Sequence, residues 1–256
     1  VRFANSGTEA VMYAIRTARA FTGKDAIVKI EGGYHGSSES VTVSTKPALD
    51  VAGPATSPNS VHTKGTTPGK VHVVPFNDLI ALEGVFDLYS DEIACFILEP
   101  VLENIGIVLP DAGYLEGVRE LCDKYGIVLI FDEVKTGLTA GVQGAAQRLG
   151  VKPDLICLAK SIGGGLPLGA FGGKREYMDT ITNGQVVHLG TYNGNPLCMA
   201  AARAVLAEVC TPETTREVID RNHRLVEACR SVVAAINDRQ YRALLDAVRD
   251  HDDYTY

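Results

Sequence analysis

The chain alternates short, uninterrupted apolar runs with longer stretches in which apolar residues recur every three or four positions. Residues 9–21 set Ala10, Met12, Ala14, Ala18 and Phe21 on helical spacing, with Ser6 or Thr8 able to cap the start and Gly23 to end it. Residues 26–30 form a brief apolar, β-branched run, which predicts a buried strand. Residues 44–70 are rich in Pro, Gly, Ser and Thr and predict a long surface loop. A brief strand is expected over 71–74 and a helix over 78–88. The alternation continues with a strand at 93–98, an amphipathic helix at 114–125 closed by Gly126, and strands at 127–131 and 155–158. A short hairpin is expected around 169–173, then a loop to Thr191 and an Ala-rich helix over 196–210. From 213 to 249 the pattern is helical and polar.

Strands that are apolar throughout, separated by amphipathic helices, imply an α/β fold with a mostly parallel sheet covered on both faces. No internal repeat is present. The polar helix beyond Thr211 is expected to begin a second domain, which divides the chain into a large domain over 1–205 and a helical start of another over 206–256.

Composition narrows the possible functions. A length of 256 residues accommodates one large domain with part of another at roughly 100–200 residues per domain, and 46% hydrophobic content supplies a sizeable core. The net charge of −7 and the absence of a basic run argue against a nucleic-acid or anionic-membrane partner. No apolar stretch approaches the roughly 20 residues that a membrane-spanning helix needs. The six cysteines contain no C-x-x-C pair and are expected to be mostly buried, reduced thiols, consistent with a cytoplasmic protein. Residue 1 is Val rather than Met and residues 251–256 form a polar tail, so the chain is read as a fragment of a longer protein.

Candidate chemistry gathers at strand ends. In open α/β sheets ligands bind beyond the carboxyl ends of the strands, and three runs here end in Glu99, Asp132 and Lys160. Any one of them alone could simply mark a strand end; the set carries the argument. Ser6, Gly7 and Thr8 stand at a helix start, where unpaired amides and the helix dipole favour an anion, although such residues cap helices routinely. Lys160 is followed by three consecutive glycines, 163–165. In a partly desolvated crevice its neutral amine would be favoured for attack on a carbonyl. Asp132 supplies a carboxylate suited to a protonated ring nitrogen. Tyr34, within a glycine-rich turn, could stack on a flat ring or be an ordinary loop tyrosine.

Six segments carry a resemblance in order and spacing: NSGTEA (5–10), EGGYHG (31–36), EPV (99–101), FDEV-x-TG (131–137), LAKSIGGGLPLGA (158–170) and GTYNGNP (190–196). Over about residues 1–205 the chain resembles the class III aminotransferases of the aspartate aminotransferase superfamily, with the glutamate semialdehyde aminomutases as the nearest likeness. The resemblance implies pyridoxal 5'-phosphate (PLP) as cofactor and Lys160 as the Schiff-base lysine and proton shuttle. It implies Asp132 at the pyridine nitrogen, Val134 and Tyr34 on the two ring faces, and Ser6, Gly7 and Thr8 at the phosphate. Glu99 and Asn104 would flank the ring's hydroxyl edge, and Thr191 would reach the phosphate of the neighbouring subunit in a homodimer. His35 receives no chemical role. Lys135 and Thr139 depart from the family pattern, in which Gln or Met and Arg are common, and Lys135 is a competing amine near the site. The implied substrate is a small amino acid or amino aldehyde. The implied reaction is amino transfer or an intramolecular aminomutase reaction, with racemisation on the same core, or a truncated non-catalytic PLP-binding protein, as the alternatives.

Overall fold

The computed structural model describes residues 1–54 and 56–235. The first strand, β1 (Arg2–Ala4), leads into helix α1 (Gly7–Thr22), strand β2 (Ala26–Ile30), a single helical turn α2 (Leu49–Ala52) and strand β3 (Val71–Val74). Helix α3 (Leu79–Tyr89), strand β4 (Ile93–Leu98), helix α4 (Tyr114–Tyr125) and strand β5 (Val128–Asp132) follow. Two short helices, α5 (Thr136–Thr139) and α6 (Gly144–Arg148), precede strands β6 (Leu155–Leu158) and β7 (Gly169–Gly173). Helices α7 (Arg175–Thr182), α8 (Pro196–Ala204) and α9 (Pro212–Ala235) complete the order.

The strands form one seven-stranded sheet in the order β1-β7-β6-β5-β4-β2-β3. The β3, β2, β4, β5 and β6 strands run parallel, while β7 is antiparallel to both β6 and β1. Period-two alternation explains why these strands are apolar throughout. On β4, Phe96 and Leu98 pack with Phe86, Leu115 and Val118 from α3 and α4, and Cys95 and Ile97 pack with Val11, Ala14 and Ile15 from α1. Both faces are therefore dry, and the expected α/β architecture is what the chain adopts.

Several boundaries depart from the sequence reading. The 169–173 hairpin is a single strand, β7, inserted between β1 and β6. Gly169 permits that insertion, because a β-carbon there would lie 2.2 Å from the Ser6 carbonyl oxygen. The stretch read as a loop to Thr191 contains α7, whose Met178 joins the core under α1. The helix expected over 196–210 keeps α-helical bonding only to Ala204. It then widens into a π turn over Val205–Val209, closed by Cys210 N donating to Val205 O at 2.8 Å. The described residues of 44–70 hold one turn of helix in otherwise irregular backbone. Of the cysteines, Cys95, Cys122, Cys157 and Cys198 are buried, Cys210 is half-buried and Cys229 is exposed, and all are free thiols. The helical pattern expected over 236–249, and with it the end of the expected second domain, lies outside the described residues. No described helix is long and apolar enough to cross a membrane.

The sheet topology determines where chemistry can gather. Because β4, β5 and β6 are parallel, their carboxyl ends lie along one edge. Strand β1 runs opposite to β7 and so in the same sense as β6, which delivers the start of α1 to that edge too.

Candidate active site

At this edge lies a cleft of about 360 Å³. Ser6, Gly7, Thr8, Tyr34, Glu99, Asn104, Asp132, Val134 and Lys160 all line it, so nine of the ten residues singled out in the sequence converge. Thr191 is the tenth. It is exposed and lines no part of this cleft. Its loop is tied to α1 by Tyr13 Oη donating to the Leu189 carbonyl at 2.8 Å, and to the residue ahead of the helix cap by Asn5 Nδ2 donating to Asn193 Oδ1 at 2.9 Å.

The start of α1 opens onto the cleft. Ser6 is the N-cap in extended backbone, and its Oγ accepts from Glu9 N at 3.2 Å. The Glu9 carboxylate turns back to accept from both Asn5 N (2.6 Å) and Asn5 Nδ2 (3.1 Å), a reciprocal capping arrangement. These bonds leave the amides of Gly7 and Thr8, first in the helix, bordering the cleft at the positive end of the dipole.

Two buried carboxylates form the cleft's far wall, and each is held twice. Glu99 accepts from Tyr34 N at 3.0 Å through Oε1 and from Asn104 Nδ2 at 2.9 Å through Oε2. Asp132 accepts from Val134 N at 3.1 Å through Oδ1. Its Oδ2 lies 2.8 Å from Nδ1 of the buried His35, and since an ionised carboxylate only accepts, that ring nitrogen is the donor. The other ring nitrogen, Nε2, is buried with no hydrogen-bond partner among the described residues. His35 received no role in the sequence reading, yet it orients Asp132; its place beside Tyr34 in the GGYHG turn was the available signal. Tyr34 itself is 42% exposed over the opening.

Lys160 departs from expectation in two ways. It is exposed, so burial within this chain does not desolvate it as the sequence reading supposed. Its backbone is also left-handed, with φ of +50°, a conformation that costs a non-glycine residue about 1 kcal/mol. Lys135 lines the same cleft, with Nζ 4.0 Å from Glu103 Oε2. Burial pushes the Glu103 carboxyl above its usual range, and the Lys135 charge opposes that shift. Thr139 stands apart from the cleft, its Oγ1 donating to the Lys135 carbonyl at 2.8 Å.

Gly36 joins the turn to the helix start. Its φ is +92°, and a β-carbon there would lie 2.6 Å from Thr8 Oγ1 and 2.8 Å from Thr8 Cα. Gly36→Ala is therefore expected to destabilise the fold by about 2 kcal/mol, read in thermal melting as a midpoint roughly 4–8 °C lower. An unchanged midpoint would mean that the turn can move away from α1 at no cost.

Comparison with known proteins follows the geometry closely. Residues 1–242 match the family described as aminotransferase class-III. The chain is 46% identical over 213 residues to glutamate-1-semialdehyde 2,1-aminomutase of Salinibacter ruber, covering 82% of this chain and 47% of that relative. Among solved structures, an omega-transaminase from Sphaerobacter thermophilus superposes with a TM-score of 0.79 at 39% identity, over 91% of this chain and 54% of that one. A glutamate-1-semialdehyde-aminomutase from Pseudomonas aeruginosa PAO1, in complex with PMP, gives a TM-score of 0.79 at 28% identity, over 91% and 53%. The chain thus spans about half the length of the proteins it matches. Its sheet order, its cleft and these likenesses agree: the chain belongs to the class-III aminotransferases, a PLP-dependent family with the aspartate aminotransferase-like fold.

Proposed function

We propose that this chain holds PLP in the cleft and moves an amino group to or from a small amino acid or amino aldehyde, with Lys160 as the essential amine. The observation that carries this reading is the convergence of three strand-end groups, Glu99, Asp132 and Lys160, with one helix start in a single cleft. The donor set suits the cofactor. Ser6, Gly7 and Thr8 offer amides, hydroxyls and a helix dipole to a phosphate, Asp132 offers a buried carboxylate to a ring nitrogen, and Val134 and Tyr34 offer an apolar and an aromatic face to the ring. When bound, PLP supplies an electron sink for charge developed at the substrate's α-carbon.

The protein's own groups do the rest. The Lys160 amine would hold the cofactor and would be the base that takes the α-carbon proton and returns it at another atom. General acid–base help of this kind is typically worth about 10²–10⁴-fold. His35, by donating to Asp132, holds that carboxylate in one orientation. Glu99 anchors the Tyr34 backbone and Asn104 together. In the same reading, residues 1–205 form the cofactor domain, residues 206–256 begin a second one, and a cytoplasmic homodimer brings Thr191 to the partner's phosphate.

The test is the fate of the amino group. Chain loaded with PLP is incubated with an amino donor and a keto-acid acceptor, and in parallel with an amino aldehyde. Amino transfer to the acceptor, or isomerised amino aldehyde, is expected. Racemised donor with no transfer would refute the reading, and PLP binding with neither product would reduce this chain to a binding protein. Borohydride trapping and peptide mapping separate the two amines: label on Lys160 is expected, and label on Lys135 would overturn the assignment.

A further inference from the structure

A lysine in the middle of a buried strand calls for an explanation. Lys29 is the fourth residue of β2, a strand buried at every position, and its side chain is fully enclosed. By period-two alternation it shares the sheet face of Ile27, which packs with Val41 beneath α1. Burying an ammonium there is unfavourable unless it is paired or well bonded. No carboxylate among the described residues is hydrogen-bonded or ion-paired to it. Its amine donates instead to two backbone carbonyls, Gly33 O at 3.0 Å and Val43 O at 2.7 Å. Burial pulls the amine down to about 8, while Glu31 and Glu99 favour its charged form from a distance.

The two acceptors are what give Lys29 its meaning. They bracket the segment 33–43 at both ends, and that segment carries Tyr34, His35 and Gly36 into the cleft. Along it, Tyr34 N reaches Glu99, His35 reaches Asp132 and Ser37 N reaches Thr8 Oγ1 at 3.3 Å. These contacts all lie on the cleft side of the segment. Val43 is followed by Ser44, whose carbonyl accepts from Gly32 N at 2.9 Å, so the loop closes on itself directly over the lysine.

We propose that Lys29 is a positioning residue of the cleft: its buried amine clamps both ends of the 33–43 segment and thereby sets Tyr34 and His35 against the site. It touches neither cofactor nor substrate, and it acts through the two residues the segment presents. The functional side of this proposal rests on the PLP reading above; the clamp itself does not.

Lys29→Met keeps the length and apolar stem and removes both donors. Hydrogen exchange on the full chain without cofactor is the first measurement. Amides in 33–43 are expected to exchange at least about tenfold faster, while those of β4 and β5 keep their wild-type rates. A uniform acceleration across the sheet, or no change in the segment, would overturn the clamp. Should Lys29→Met not fold, Lys29→Gln retains a donor with shorter reach and is judged by the same two outcomes. The second measurement is PLP affinity in a double-mutant cycle with Tyr34→Leu. If Lys29 acts through the segment, the double variant loses less than the product of the single losses, because the second change removes a contact already loosened. Losses that multiply independently would reduce Lys29 to a packing residue. Wild-type chain that binds no PLP would sink the proposed function and leave the exchange result to decide the clamp.

Discussion

Replacing Lys160 with alanine is expected to lower turnover by at least about 10²–10⁴-fold and to abolish the visible absorbance of lysine-linked PLP. Melting behaviour should be nearly unchanged. The side chain is exposed and lines the cleft rather than the core, so truncation opens no cavity. The alanine keeps a β-carbon, so it inherits the same left-handed backbone with the same strain. Loss of chemistry without loss of fold is the signature of a group that works on a bound molecule. Retention of the band in Lys160→Ala would shift attention to Lys135, the other amine in the cleft. Lys135→Met is the decisive control: it should keep the band if Lys160 is the attachment point and lose it if Lys135 is.

The second large effect is expected at Asp132. Asp132→Asn preserves shape and removes the charge; its one carbonyl oxygen can still accept from Val134 N, while its NH2 then faces His35 Nδ1, which accepts by taking the other tautomer. If that charge holds a ring nitrogen protonated, kcat should fall by about 10²–10³-fold, in line with the loss of other preorganised electrostatic groups, while PLP remains bound. Asp132→Ala is a different experiment. It strands the buried His35 Nδ1 at a penalty of about 1–3 kcal/mol and frees the part-buried Val134 N, so stability should fall together with activity. An asparagine variant that keeps more than half of the wild-type kcat would remove Asp132 from the reaction. The comparison separates charge from packing, which neither variant does alone.

Local pattern revealed those parts of the fold that local physics determines. Ala26–Ile30, Ile93–Leu98 and Leu155–Leu158 were legible as strands because each is a short, largely apolar run inside the sheet, and Val71–Val74 because its valines favour extended backbone even at the sheet edge. Helix α4 was legible from its amphipathic spacing and from Gly126, which caps it in a left-handed conformation. Elements held by distant partners were not legible. Strand β1 is three residues long and exists because β7 pairs with it across most of the chain. Helix α6 is a short piece whose first amides are taken by the buried Glu133 carboxylate, which accepts from Ala145 N at 2.6 Å and Ala146 N at 2.9 Å. No pattern within α6 announces that partner. The insertion of β7 depends on a glycine passing Ser6, a proximity visible only in three dimensions.

The site shows the same division. Charged residues closing apolar strands were readable, since parallel strands deliver their ends to one edge, and the resemblance to a family linked them to the helix start. His35 and Lys29 escaped because their importance lies in what they hold. A histidine in a glycine-rich turn and a lysine in a strand look like ordinary polar interruptions until their partners, Asp132 in one case and two carbonyls in the other, are seen. Exposure was misjudged at Lys160 for a related reason: strand-end position fixes where a residue emerges and leaves open what covers it.

The positive φ at residue 160 has a consequence for how the sequence would drift if chemistry were irrelevant. Glycine occupies that conformation freely, so a library ranked purely on thermal endurance should enrich glycine at this position, and asparagine to a lesser degree. A library ranked on amino transfer should purge both. The distance between the two rankings would measure, at a single residue, what natural selection has given up in robustness to keep an amine where it is.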